Sequence, residues 1–139
     1  MKNKKTVYVI EPEIKECKKL TVGKKVKISE CYLVTEYGGG ALVTPESIDE
    51  KEIEVEVIKN WYDYETGEHA KGKVLKKKIV KKLRKVGKSE YTPEYYRDNY
   101  GEEEYKAVLE AQARYNPEIV CISEWDLIEE SEKKWKVII

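Results

Sequence analysis

Ten of the eighteen residues from Lys71 to Lys88 are Lys or Arg, and none is Asp or Glu. Cationic side chains at that density do one kind of chemistry. They neutralise anions, above all nucleic-acid phosphates, with an affinity that is sequence-independent and salt-sensitive. The densest part, Lys76, Lys77, Lys78, Lys81, Lys82, Arg84 and Lys85, is the candidate phosphate-binding set. Trp61, Tyr62 and Tyr64 precede the block and Tyr91 follows it. Aromatic rings beside a basic surface can stack on unpaired bases. The expected function is a non-catalytic module that binds RNA or single-stranded DNA. The competing role is scaffold, in which the lysines face the acidic row Glu52, Glu54 and Glu56 through surface ion pairs and the aromatics are core.

Other chemistry is thinly supported. The chain has no G-x-S-x-G, G-x-x-x-x-G-K-[ST], H-E-x-x-H or G-x-G-x-x-G. Its single histidine, His69, stands beside Glu68 in a turn-rich stretch and reads as a solvated loop residue rather than a general base. Cys17, Cys31 and Cys121 lack C-x-x-C spacing, so neither a structural zinc site nor any other metal or cofactor is expected. They read as reduced thiols, with one disulfide allowed if the source is hyperthermophilic. The triplet Gly38–Gly40 resembles a phosphate cradle, but the apolar stretch Ala41–Val43 follows it where a cradle opens onto a helix. It reads as a strand-to-strand connection.

Gly23–Lys24–Lys25 opening a strand, with a Tyr-rich helix near the end, resembles the RNA-binding PUA-like domains called ASCH. That pattern continues with a Glu and an Arg, where this chain has Ile28 and Glu30, so the chain is not assigned to the family.

A rival function uses the opposite charge. The whole chain has 27 basic and 27 acidic residues, so 17 basic residues outside the block face all 27 acids. Eleven acids lie between Glu30 and Glu68, and thirteen between Glu90 and Glu132. These surfaces, with Tyr91, Tyr95, Tyr96, Tyr100, Tyr105 and Tyr115, suit a protein-binding inhibitor or adaptor carried by a virus or mobile element. A homodimer pairing one copy's basic block with the other's acids is a further form of it. The 24 Lys and 23 Glu against three Arg and one Gln are the mark of a hot environment, so a thermophile or its virus is the expected source. No apolar run reaches membrane-spanning length and no apolar leader opens the chain, which makes the cytoplasm the expected compartment.

The elements that must position these residues follow from periodicity. Thr6–Ile10 reads as a first strand, Ile14–Leu20 as a helical turn or two, and Lys24–Glu36 as one long strand whose Tyr32–Val34 is buried. Ala41–Thr44 resumes the sheet. Glu52–Ile58 alternates Ile and Val with Glu, the pattern of a half-buried strand. Glu65–Gly72 reads as a polar stretch with Gly67 and Gly72 as turn residues. The basic block is ambiguous. A helix would align Leu75, Ile79, Leu83 and Val86 and end at Gly87, whereas a strand would set Lys76 and Lys78 near Glu56 and Glu54 and need a bulge. The hairpin is favoured, because a helix would start against its own dipole and carry lysines repelling four apart. Thr92–Pro93–Glu94 starts one helix, Glu102–Glu104 starts a second, and Ile119–Ile122 is a buried strand. Ser123–Lys134 is a short helix or a hairpin connection, and Trp135–Ile139 a last strand. The pattern implies one α+β domain over 1–139, with a small curved antiparallel sheet or partly open barrel and a short helical cover at about 93–115.

Overall fold

The structure, a computed structural model, describes residues 17–128. The strands expected at Thr6–Ile10 and Trp135–Ile139 lie outside them. Six antiparallel strands form one sheet: β1 (Lys25–Ile28), β2 (Cys31–Val34), β3 (Gly40–Val43), β4 (Ile53–Asp63), β5 (Gly67–Val74) and β6 (Ile119–Ser123). Their order is β1-β4-β5-β6-β2-β3, and three helices accompany them: α1 (Lys77–Val86), α2 (Pro93–Tyr100) and α3 (Glu102–Arg114). The fold is α+β with the sheet curled into a half-barrel, as the pattern implied.

Curling requires a correction at Lys24–Glu36. This stretch is two short strands rather than one long one, because Ser29–Glu30 leaves the ladder and the chain turns from β4 towards β6. The Ser29 N–H donates to the Asp126 carbonyl at 2.8 Å, the Ile128 N–H to the Lys27 carbonyl at 3.1 Å, and Ile28 bridges Leu127. Tyr32–Val34 is not uniformly buried either. Cys31 and Leu33 point inward, while Tyr32 and Val34 point to solvent.

The segment at 17–20 bends instead of making a helical turn. Its backbone is taken by long-range partners. The buried Glu68 carboxylate accepts from the Lys19 and Leu20 N–H groups, each at 2.9 Å, and Asn60 Nδ2 donates to the Leu20 carbonyl at 2.7 Å. A buried carboxylate must be hydrogen-bonded, so this clasp both satisfies Glu68 and seats Leu20 in the core.

Strand β4 extends five residues past the expected Ile58, and its partner overturns the turn assignment at Glu65–Gly72. Only Tyr64–Thr66 turn, with Asp63 Oδ1 accepting from the Glu65 and Thr66 N–H groups at 2.8 and 3.0 Å. Gly72 is mid-strand. A Cβ there would lie 2.7 Å from Val55 Cγ2, so close packing rather than turn geometry requires glycine.

The basic block divides between both of its candidate conformations. Lys71–Val74 completes β5, and Lys77–Val86 is helical. The expected register was three residues off: Glu56 faces Lys73 on one side and Lys25 on the other, and Glu54 faces Lys27. Helix α1 forms despite its charge because Ile79 and Leu83 enter the core with the inner faces of the strands. Burying two such side chains contributes about 1.5–3 kcal/mol each. Lysine pairs four apart cost only about 0.2–0.5 kcal/mol each, and a cationic first turn about 0.3–1 kcal/mol. Packing wins. Val86 is 43% exposed, so the buried face is narrower than the periodicity implied. Gly87 ends the helix at φ −84°, not in the left-handed region; a Cβ there would meet Tyr115 Oη at 2.6 Å.

Helices α2 and α3 start as the sequence indicates. Thr92 Oγ1 accepts from the Tyr95 N–H at 3.3 Å, Pro93 follows, and Glu102–Glu104 open α3. They pack mainly on each other: α2 buries no residue and α3 only Val108. The helix that completes the sheet's core is α1. Ser123 caps a single 3-10 turn, Glu124–Asp126, with Asp126 Oδ2 accepting from the Ser123 N–H at 2.8 Å. Among the described residues no helix is long and apolar enough to cross a membrane.

Candidate nucleic-acid interface

On α1 the helical period sorts the seven predicted cations into two groups. Lys78 and Lys82 sit one turn apart on the flank that meets the loop before β4, and both reach one carboxylate. Lys78 Nζ lies 3.4 Å from Glu50 Oε1, and Lys82 Nζ lies 2.5 Å from Glu50 Oε2 and 3.2 Å from the Asp49 carbonyl. The Lys82 ammonium, then Lys78, hold the Glu50 carboxyl below its ordinary value of 4.5. Lys76 borders the same acid-lined cleft beside Glu46 and Glu52. Lys78 and Lys82 are thus paired with Glu50, and Lys76 lies beside acids without an ion pair among the described residues.

Lys77, Lys81, Arg84 and Lys85 are different. They occupy the opposite side of α1 from Ile79 and Leu83, are all exposed, and form no ion pair among the described residues. Lys88 continues the same row past the helix end. At 1.5 Å rise per residue the row from Lys77 to Lys88 runs roughly 16 Å. Its lower end is fixed: Tyr115 Oη donates to the Arg84 carbonyl at 2.8 Å, and the Glu36 N–H donates to the Gly87 carbonyl at 2.7 Å. The row forms no ion pair among the described residues, and the Glu36 carboxylate lies at its lower end, accepting from the Ser89 N–H at 3.0 Å.

The predicted aromatics do not join it. Trp61 and Tyr62 face His69 and Glu68 near the far end of the β4–β5 hairpin, and Tyr64 is in the turn. Helix α1 begins beyond the other end of β5. Seven strand steps of about 3.3 Å separate Gly67 from Val74, so the turn lies roughly 23 Å from the base of α1. Trp61 also faces away from α1. The bulge that the sequence reading sought in the basic block lies in β4 instead, between Val57 and Lys59. One extra residue reverses the alternation, so Lys59 and Trp61 turn outward where unbroken period two would have turned them inward. Trp61 is 42% exposed and its ring stacks on His69, with centroids 5.8 Å apart and planes 14° from parallel. Tyr62 and Tyr64 pack edge to face at 6.0 Å.

His69 is thus a strand residue, not a loop one; its Nε2 is 2.6 Å from Thr66 Oγ1. The residues that sequence reasoning left out are those that register brings to Trp61: His69, Lys59, Lys71 and Tyr32. Cys31–Val34 is apolar at every position, so the sequence held no alternation to mark Tyr32 as outward-facing; only the alternating burial in β2 shows it. Of the expected tyrosine cluster, Tyr91, Tyr95, Tyr96 and Tyr100 come together and Tyr37 joins them, whereas Tyr105 lies under Arg97 and Tyr115 reaches the Arg84 carbonyl. Tyr91 stacks on Tyr95 at 4.3 Å, and Tyr96 meets Tyr37, Tyr91, Tyr95 and Tyr100 edgewise or tilted. The Tyr37 hydroxyl donates to the Tyr91 carbonyl.

Cys31 is buried and its thiol is pushed up to about 12 by desolvation, with Asp126 and Glu30 adding to the effect. Cys17 and Cys121 are free thiols as well. No group of three or more His, Cys, Asp or Glu side chains placed to hold a metal occurs among the described residues. Comparison with known proteins finds no matching family model, no similar curated protein and no similar solved structure. The class that the fold and site define is a half-barrel α+β domain bearing a cationic helix face.

Proposed function

We propose that this protein is a non-catalytic module that binds RNA or single-stranded DNA, with Lys77, Lys81, Arg84, Lys85 and Lys88 engaging phosphates. The observation that carries the reading is the split on α1: Glu50 pairs with one flank, while the cations of the other form no ion pair among the described residues. Like charges four apart destabilise a helix slightly, so the open row carries a small cost that an anion would relieve. An anionic partner removes that repulsion and releases condensed counterions.

The test is fluorescence anisotropy with a short labelled oligonucleotide. Affinity is expected to fall steeply as salt rises, with a log–log slope of about −0.7 per phosphate neutralised on a single strand. Lys77→Glu with Lys81→Glu is expected to abolish binding. Absence of binding at low salt would sink the reading. It would favour the protein-binding alternative, which one observation supports: Tyr95 and Tyr100 of α2, with Tyr91 just before it, are exposed beside a hairpin rich in Glu.

A further inference from the structure

The outer face of the sheet carries a second aromatic surface that the basic helix does not explain. Cross-strand register sets Lys59, Lys71, Cys121, Tyr32 and Leu42 in one row across β4, β5, β6, β2 and β3. Trp61, His69 and Ser123 form the adjacent row. These side chains point away from the core, and three large apolar ones are left open: Leu42 is 67% exposed, Tyr32 43% and Trp61 42%. Between the rows lies a shallow depression of about 170 Å³ whose lining includes Tyr32, Leu42, Trp61 and His69 together with Glu30 and Asp126. A drug-sized ligand pocket needs about 300 Å³ or more, so this dip fits only part of a ligand.

Two further features describe what would lie there. Gly40 stands diagonally across from Tyr32, and a Cβ on it would fall 1.8 Å from Tyr32 Oη. The ring therefore leans over the bare backbone of β3, where only glycine leaves room for it, and Tyr32 stays 43% exposed. The His69 imidazole stacks on one face of the Trp61 indole and holds it in place, and Trp61 stays 42% exposed. The second feature is electrostatic. Lys59 and Lys71 are direct cross-strand neighbours, a destabilising like-charge pair, and neither forms an ion pair among the described residues. An anion between the two ammonium groups would convert that repulsion into attraction.

We infer that this face stacks unpaired nucleobases on Tyr32 and Trp61 while Lys59 and Lys71 hold the intervening phosphate. The inference rests on the nucleic-acid reading of α1 and narrows it to single strands, because only unpaired bases expose their faces for stacking. The two platforms are three strands apart, roughly 14 Å at about 4.8 Å per strand, which is a span of a few nucleotides rather than one. Glu30 and Asp126 repel phosphate, so the backbone runs on the Lys59 side and base edges point towards the carboxylates.

The experiment compares a short single-stranded oligonucleotide with an abasic strand of equal length and charge, each titrated at low salt. The expected result is that the wild type prefers the base-bearing strand, and that Trp61→Ala and Tyr32→Ala each weaken it by about tenfold or more while leaving the abasic strand unchanged. Trp61→Phe, which keeps a ring, restores most of the preference and guards against a folding defect, which thermal melts also report. Equal binding of the two strands, or equal loss of both in the alanine variants, would overturn stacking and leave the α1 reading standing. Failure of both strands to bind at low salt would overturn the two together. A concentration-dependent dimer broken by Leu42→Glu, with no strand preference, would assign the face to a second copy of the chain and likewise overturn the inference.

Discussion

Helix α1 and the outer face of the β4–β5 hairpin both display lysines, yet they assemble them by different rules. On α1 the cations are neighbours in sequence, and a period of 3.6 combs one dense run into a paired flank and an open flank. On the hairpin, Lys59 and Lys71 are twelve residues apart and meet through strand register, set in part by the one-residue bulge after Val57. The first surface survives any change that keeps the helix. The second depends on every pairing between β4 and β5. A charge run is thus a robust feature of a sequence, whereas a mixed aromatic and basic platform is a property of the sheet.

The largest break in this comparison is at the core. Leu83→Ala removes a fully buried side chain that fixes α1 to the sheet. It is expected to cost about 2–5 kcal/mol, measured as a lowered urea midpoint. Trp61→Ala, on the exposed platform, should leave the midpoint nearly unchanged, so the two surfaces separate into one that holds the fold and one that does not. A smaller effect comes from Gly72→Ala. The added methyl would press on Val55 Cγ2 from 2.7 Å and strain the hairpin by about 1–3 kcal/mol. Because that strain falls on the register between β4 and β5, it should perturb the amide resonances of Lys59 and Lys71 while sparing those of Lys81 and Arg84. The smallest change runs the other way. Lys77→Glu places an acid in the first turn of α1, against the positive end of the dipole, and removes one repulsion with Lys81. It should stabilise the protein by a few tenths to about 1 kcal/mol, read as a higher melting temperature, even as it weakens binding of polyanions. A melting temperature that fell would show that the cationic row is part of the scaffold.

Much of the fold was legible. The alternation in β4, the capped starts of α2 and α3 and the apolar β6 each follow from local chemistry that neighbours do not override. The misreadings share a cause. Lys24–Glu36 has strand character throughout, and only the bonds of Ser29 and Lys27 to the segment around Asp126 and Ile128 show where it breaks. Glycine at position 72 reads as a turn until Val55 is seen against it. For the candidate site, the basic residues were visible because they are contiguous. The partition of Lys78 and Lys82 from Lys77 and Lys81 was not, since it depends on Glu50, some thirty residues away. Trp61 was picked out by type, but its direction was not, because a bulge inverts the face of every residue after it.

By itself the sequence determined an α+β chain with one concentrated run of positive charge, since composition and short-range periodicity act within a few residues. Tertiary structure alone decided that the run is a short piece of strand followed by a longer helix, because burial of Ile79 and Leu83 outweighs the repulsion that local reasoning counts. It alone decided which cations remain open, and it brought Tyr32, Trp61 and the Lys59–Lys71 pair onto one face, since register between distant strands is fixed by the packing of the whole sheet.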